Sequence, residues 1–107
     1  MPEPPYVAVI FTNRRTGVDD AGYAAMAAEM EGQASAQPGY IGIESARGAD
    51  GVGITVSYWA TEDDASAWKL VADHLGAQRL GQQRWYAEYI TRIAVVGRQY
   101  RWRRTDT

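Results

Sequence analysis

The segment Tyr6-Val7-Ala8-Val9-Ile10-Phe11-Thr12 constrains this chain more than any other. Its β-branched and aromatic content predicts a strand. Side chains alternate across a strand, so Tyr6, Ala8 and Ile10 share one face and Val7, Val9 and Phe11 the other. An antiparallel sheet with one wet face should alternate apolar with polar residues, whereas here both faces are apolar and both need a cover. At 107 residues there is room for one core, and we read residues 1–107 as one domain with its core over about 6–100.

The first cover follows in the sequence. Asp19 or Asp20 can cap a helix whose stripe Tyr23, Met26, Ala27, Met30 and Ala34 keeps helical spacing until Pro38-Gly39 ends it. Tyr40 to Ala46 and Ile54 to Trp59 are two strand-like runs joined by a glycine-rich reversal containing Asp50-Gly51, which predicts a hairpin. Thr61-Glu62-Asp63-Asp64 has the form of a capping box and opens a second helix with Ala65, Trp68, Val71, Ala72 and Leu75 on one side. Gly76 and Gly81 are expected to break or bend its second half. From Trp85 to Trp102 the chain reads as extended, long for one strand. The order is βαββαβ, an α+β, ferredoxin-like arrangement with an antiparallel sheet and both helices on one face.

Two helices leave the other sheet face bare, and the last strand outruns its neighbours. A second copy of the chain, packed face to face in a homodimer, answers both needs. Twelve aromatic residues, four of them tryptophan, fit an interface or a lined pocket. Apolar residues make up 46% and charged residues 22%, the composition of a folded globular chain. With no cysteine, disulfides and thiolate metal sites are excluded. No apolar run approaches a membrane span and Met1-Pro2-Glu3-Pro4-Pro5 is unlike a signal peptide, so a cytoplasmic location without membrane contact is expected. Residues 1–64 carry ten acids against three arginines, a balance of −7, and residues 65–107 eight bases against three acids, a balance of +5. Acidic helix starts and an arginine-rich final strand account for that split.

The succession Phe11-Thr12-Asn13-Arg14-Arg15-Thr16, Gln37-Pro38-Gly39-Tyr40-Ile41-Gly42, Val56-Ser57-Tyr58-Trp59 and Ala67-Trp68-Lys69 resembles the antibiotic biosynthesis monooxygenase domain family over about residues 6–100. The resemblance implies a dimeric α/β barrel with a pocket between each sheet and its helices. It also implies chemistry of one of three kinds: cofactor-independent oxidation of phenol- or quinol-like aromatics, haem degradation, or none yet assigned. The haem-degrading branch is similar at Asn13 and Trp68 but places a haem-ligating histidine ten residues after the tryptophan, where this chain has Gln78. His74, the only histidine, is six residues after Trp68 and about 120° away around a helix.

Three residues are candidates for catalysis. Asn13 shares strand parity with Val9 and Phe11; its amide can orient a phenol or an oxygen anion, or it simply ends the strand in a turn. Trp68 lies in the buried stripe of the second helix, where an indole can stack on a flat ligand or fill the core. His74 titrates near neutral pH and can serve as a general base, or it is a half-exposed surface histidine. Phe11, Tyr58, Tyr86, Tyr89 and Arg92 can line a pocket or pack across the dimer.

No metal or organic cofactor is expected. Glu62, Asp63 and Asp64 point different ways around one helical turn, and Gly48, Gly51 and Gly53 do not lead from a strand into a helix as a nucleotide loop must. The βαββαβ order and the end Arg98-Gln99-Tyr100-Arg101-Trp102-Arg103-Arg104 raise the question of RNA, but the third strand is aliphatic or polar where bases should stack, so no nucleic acid partner is expected. The expected partners are a second copy of the chain and a small aromatic molecule. Two functions remain: a cofactor-independent monooxygenase, or a non-catalytic dimer that binds a small apolar ligand.

Overall fold

A computed structural model describes residues 1–78 and 84–105. Six elements follow one another: β1 (Tyr6–Arg15), α1 (Asp20–Ser35), β2 (Tyr40–Arg47), β3 (Val52–Trp59), α2 (Glu62–Gln78) and β4 (Tyr86–Val96). The four strands form one antiparallel sheet in the order β2-β3-β1-β4, the ferredoxin-like topology that the element order predicts. The doubly apolar strand β1 is a central strand, with β3 on one side and β4 on the other.

Register sorts the side chains by face. Val7 lies opposite Trp59 and Val95, Val9 opposite Ser57 and Ile93, Phe11 opposite Thr55 and Thr91, and Asn13 opposite Gly53 and Tyr89. This set faces the helices. Val7, Val9, Trp59, Ala34 of α1, and Ala65 and Trp68 of α2 form the buried cluster. Trp59 is fully buried, and its indole lies 5.7 Å from that of Trp68 at an interplanar angle of 21°. Its Nε1–H donates to the hydroxyl of buried Ser57 at 2.9 Å, so the one polar atom of the ring is satisfied inside the core.

Both helices begin as their sequences predict. Asp19 caps α1, its Oδ1 accepting from the Gly22 backbone N–H at 3.1 Å, and its Oδ2 accepts from Trp85 Nε1 at 3.2 Å. These two bonds, the tryptophan one first, hold the Asp19 carboxyl below the usual carboxylate range. Thr61 Oγ1 accepts from the Asp64 N–H, closing the expected cap of α2.

Two expectations need correction. The helix α2 runs without a break through Gly76 to Gln78, because one glycine costs a helix only about 1 kcal/mol and does not stop it; Gly81 lies outside the described residues. β4 does not extend from Trp85 to Trp102. It ends at Val96, opposite Tyr6, where β1 has no further residues to pair, and Pro5 has no N–H to offer. Residues 97–105 continue without a ladder, leaving Tyr100 and Trp102 exposed. Trp85 precedes the strand and is buried against the start of α1.

The face of the sheet away from the helices carries Ala8, Ile10, Ile54, Val56, Tyr58, Ile90 and Arg92. Ile54 and Ile90 are 45% and 48% exposed. Tyr58 donates to Glu44 Oε1 at 2.6 Å on this face and packs edge-on against Tyr6. The Glu44 bond and then burial push the Tyr58 phenol up to about 12.

The Trp59–Trp68 stack holds α2 on the sheet, and its removal is measurable. Trp59→Phe deletes the indole N–H, leaves the Ser57 hydroxyl without its donor and opens a gap against Trp68. Urea denaturation should show a loss of about 1–3 kcal/mol at an unchanged m value. A loss below about 0.5 kcal/mol, the range of ordinary surface substitutions, would show that the stack does not support the fold.

Candidate functional site

On the helix side, the space between sheet and helices is not filled. A cavity of about 520 Å³ lies there, within the usual range for small-molecule sites. Val9, Phe11, Thr55 and Thr91 form its floor; Tyr23, Met26, Ala27 and Met30 of α1 and Trp68 and Ala72 of α2 form its walls; Trp85, Tyr86 and Tyr89 close one end. The opening follows from residue size. Alanine stands at positions 27 and 72 on the inward stripes and threonine at 55 and 91 on the floor, where larger side chains would meet and fill the space. Glu31, Glu44, Lys69 and Asp73 are the charged residues of the lining; Glu44 accepts from Tyr58, and Lys69 donates to Asp73 Oδ2 at 2.6 Å.

The rings at the closed end contact one another edge-on. Phe11 lies 5.4 Å from Tyr86 and 5.3 Å from Tyr89, and Tyr23 lies 5.8 Å from Tyr86 at 89°. Burial first, and the neighbouring Tyr23 hydroxyl next, push the Tyr86 phenol well above its ordinary range, so it stays protonated at neutral pH.

Behind Tyr23 stands a polar cluster. Arg47 Nη2 donates to the Tyr23 hydroxyl at 2.9 Å and to Asn13 Oδ1 at 2.8 Å, while Nη1 donates to the Gly51 carbonyl at 2.5 Å. Arg15 Cζ lies 3.9 Å from the centre of the Tyr23 ring, and its guanidinium also bonds Asp20, the Val18 carbonyl and the Trp85 carbonyl. Asn13 is 3% exposed, and its Nδ2 is a buried donor with no acceptor. Turning the amide over does not cure this, because a guanidinium only donates and requires the oxygen on its side.

Of the residues singled out from the sequence, Trp68, Phe11, Tyr86 and Tyr89 line the cavity together. Trp68 serves both alternatives considered for it, stacked on Trp59 in the core while also facing the cavity. Asn13 lies on the same sheet face, joined to the lining through Arg47 and Tyr23. His74 is not brought to them. It is exposed on α2 and outside the lining, as an offset of about 120° from a buried tryptophan requires. Tyr58 and Arg92 belong to the opposite sheet face, where Tyr58 pairs with Glu44 and Arg92 is exposed.

Histidine ligation of haem does not fit the cavity, since the chain's one imidazole, His74, is outside the lining; the side chain of Gln78 lies outside the described residues. Among the described residues no cluster of three or more metal-ligating side chains occurs, and no helix is long and apolar enough to cross a membrane.

The helical stripe places Tyr23, Met26 and Met30 on the inward face of α1, where Met26 is buried, Met30 packs on the core and all three line the cavity; the sequence reading missed Arg47. The available signal was Gly53. A glycine inside a strand marks a close approach, and the hairpin register sets Arg47 opposite Gly53. A Cβ at Gly53 would collide with the Arg47 guanidinium, 2.6 Å from Cζ.

Comparison with known proteins places these features. No family model matches the chain. YqjZ, an uncharacterized protein of Bacillus subtilis (strain 168), is 46% identical over 98 residues, covering 92% of this chain and 85% of YqjZ. Among solved structures, SnoaB from Streptomyces nogalater, a cofactor-independent oxygenase, superposes with a TM-score of 0.66 at 12% identity over 92% of this chain and 97% of that one. A candidate antibiotic biosynthesis monooxygenase from Bordetella bronchiseptica gives 0.67 at 17% identity over 91% and 100%. The chain therefore belongs to the family of YqjZ and has the fold of the antibiotic biosynthesis monooxygenases that its sequence resembles.

Proposed function

We propose that this protein is a cofactor-independent monooxygenase acting on a small phenol- or quinol-like aromatic, as a cytoplasmic homodimer folded as one domain. The observation that carries the reading is the cavity of about 520 Å³ walled by Tyr23, Met26, Met30, Trp68, Tyr86 and Tyr89. Rings and thioethers offer flat apolar contact to an aromatic ligand, with few polar groups to fix its orientation. The fold is shared with SnoaB, whose described chemistry needs no cofactor.

In such a reaction the substrate supplies the electrons. A phenol or enol loses its proton, the anion transfers an electron to dioxygen, and the resulting radicals combine at carbon. The protonated peroxide then loses the remaining hydrogen of its carbon as a proton while the O–O bond breaks, so that one oxygen stays as a new carbonyl and the other leaves as hydroxide, which takes up that proton to become water. The protein's part is to orient the ring and keep bulk water from the anion. With His74 outside, the carboxylates that line the cavity are Glu31, Glu44, which accepts from Tyr58, and Asp73, which is paired with Lys69; Glu31 is our candidate base. The placement of His74 also favours a second reading, a non-catalytic binder of the same class of ligand.

Oxygen uptake by the apoprotein with a panel of anthrones and hydroquinones separates the two. Turnover in the wild type, with a clear drop in Trp68→Phe at a stability cost of about 1–3 kcal/mol, is the expected result. Saturable quenching of tryptophan fluorescence without oxygen uptake would establish the binder instead.

For the dimer, the argument rests on Ile54 and Ile90 exposed on the open sheet face and on Tyr100 and Trp102 standing out beyond β4. Light scattering at micromolar concentration should give twice the 11.8 kDa chain mass, and Ile54→Arg should halve it. A monomeric wild type would contradict the proposal.

A further inference from the structure

At one end of the cavity the lining residue Tyr23 is backed by Arg47, an exposed residue outside the lining that has no carboxylate partner among the described residues. Arg47 gives its recorded hydrogen bonds to a backbone carbonyl, an amide oxygen and a phenol oxygen, all uncharged acceptors. A guanidinium is ordinarily matched with a carboxylate or phosphate, which accepts two of its N–H groups at once. The position is also built rather than incidental. The guanidinium occupies the space that the missing side chain of Gly53 leaves over β3, where Arg47, Gly53 and Asn13 lie in register across three strands. Asn13, whose Oδ1 accepts from Arg47, keeps its buried Nδ2 without an acceptor among the described residues, although Asn13 itself is not part of the cavity lining.

The link to the cavity is Tyr23. Its ring is part of the lining, and its hydroxyl oxygen accepts from Arg47 and meets the Tyr86 hydroxyl, so the two phenols share the donor that a ligand at this end would receive. Donation into a phenol oxygen polarises that O–H and strengthens it as a donor. Arg15 also lies 3.9 Å from the ring centre, but its charge is paired with Asp20 at 3.2 Å, which leaves Arg47 as the cation that acts on Tyr23.

We propose that Tyr23 and Arg47 form an anion anchor at this end of the cavity, selecting aromatic ligands that carry an acidic oxygen and receiving that oxygen at the Tyr23 hydroxyl with the guanidinium behind it. The inference rests on the reading of the cavity as a ring-binding site and narrows its ligand class to phenolates, enolates and aryl carboxylates. Arg47 is in this account a positioning residue, since it acts through Tyr23. An anchor of this kind also favours the ionised substrate over the neutral phenol, which is the form that reduces dioxygen.

The test uses a matched pair of probes, 2-naphthoate and the neutral 2-naphthamide, titrated by calorimetry at low salt and pH 7. The wild type should bind the naphthoate about tenfold more tightly. Arg47→Gln should abolish that preference while leaving 2-naphthamide affinity unchanged, whereas Tyr23→Phe should weaken both probes and the naphthoate more. Gly53→Ala keeps every charge and should abolish the preference too, because the added Cβ displaces a flexible guanidinium rather than backbone. Equal affinities in the wild type, or a preference that survives both Arg47→Gln and Gly53→Ala, would overturn the anchor while leaving the ring site intact. Failure of both probes to bind would overturn the ring site, and the anchor with it.

Discussion

The contact between Trp59 and Trp68 governs this molecule because it is where the sheet and α2 are held together. One indole is fully buried on β3, the other rides on α2, and they stack at 5.7 Å. Aromatic pairs of this sort add roughly 0.5–1.5 kcal/mol to the burial of their area. The stack also sets a boundary. On its far side Val7, Ala34 and Ala65 close a dry core, whereas on its near side the stripe passes to Ala72, and α1 offers Ala27, so the layers stand apart and a cavity remains. Core and site share a wall, and Trp68 is that wall.

The opposite end is held by polar contacts instead. Asp19 caps α1 and accepts from Trp85, tying the start of that helix to the segment leading into β4. Thr16 N–H donates to the Trp85 carbonyl at 2.9 Å, and Arg15 donates to the same carbonyl. These bonds fix Tyr23, on the first turns of α1, against Tyr86 and beneath Arg15 and Arg47. The site thus has a hydrophobic wall anchored by stacking and, at its other end, a tyrosine backed by two arginines and held by hydrogen bonds.

Much of this was legible from residue periods. The apolar positions of both helices recur at helical spacing, so Met26, Ala34, Ala65 and Trp68 emerge as inward-facing without a structure, and the two apolar faces of β1 mark it as central. The end of β4 was not legible, because a run of β-formers does not reveal where its partner strand stops. Periodicity also tells which side chains point inward but not whether they meet, so the stripe does not reveal that Tyr23 and Met30 line a cavity. Arg47 and Asn13 are 34 positions apart, and only the hairpin register brings them together. His74 was attractive for its chemistry alone, and the helical phase carries it outward.

The central claim is that the space between α1, α2 and the sheet is a ring-binding site rather than loosely filled core. A crystal soaked with 1-bromonaphthalene tests it directly, since the bromine can be located by its anomalous signal. The account predicts a single strong bromine peak on the helix side of the sheet, within van der Waals contact of Trp68, Met26 and Phe11. Bromine found instead on the open sheet face beside Ile54 and Ile90, or no ordered bromine with the three side chains closed upon one another, would contradict it.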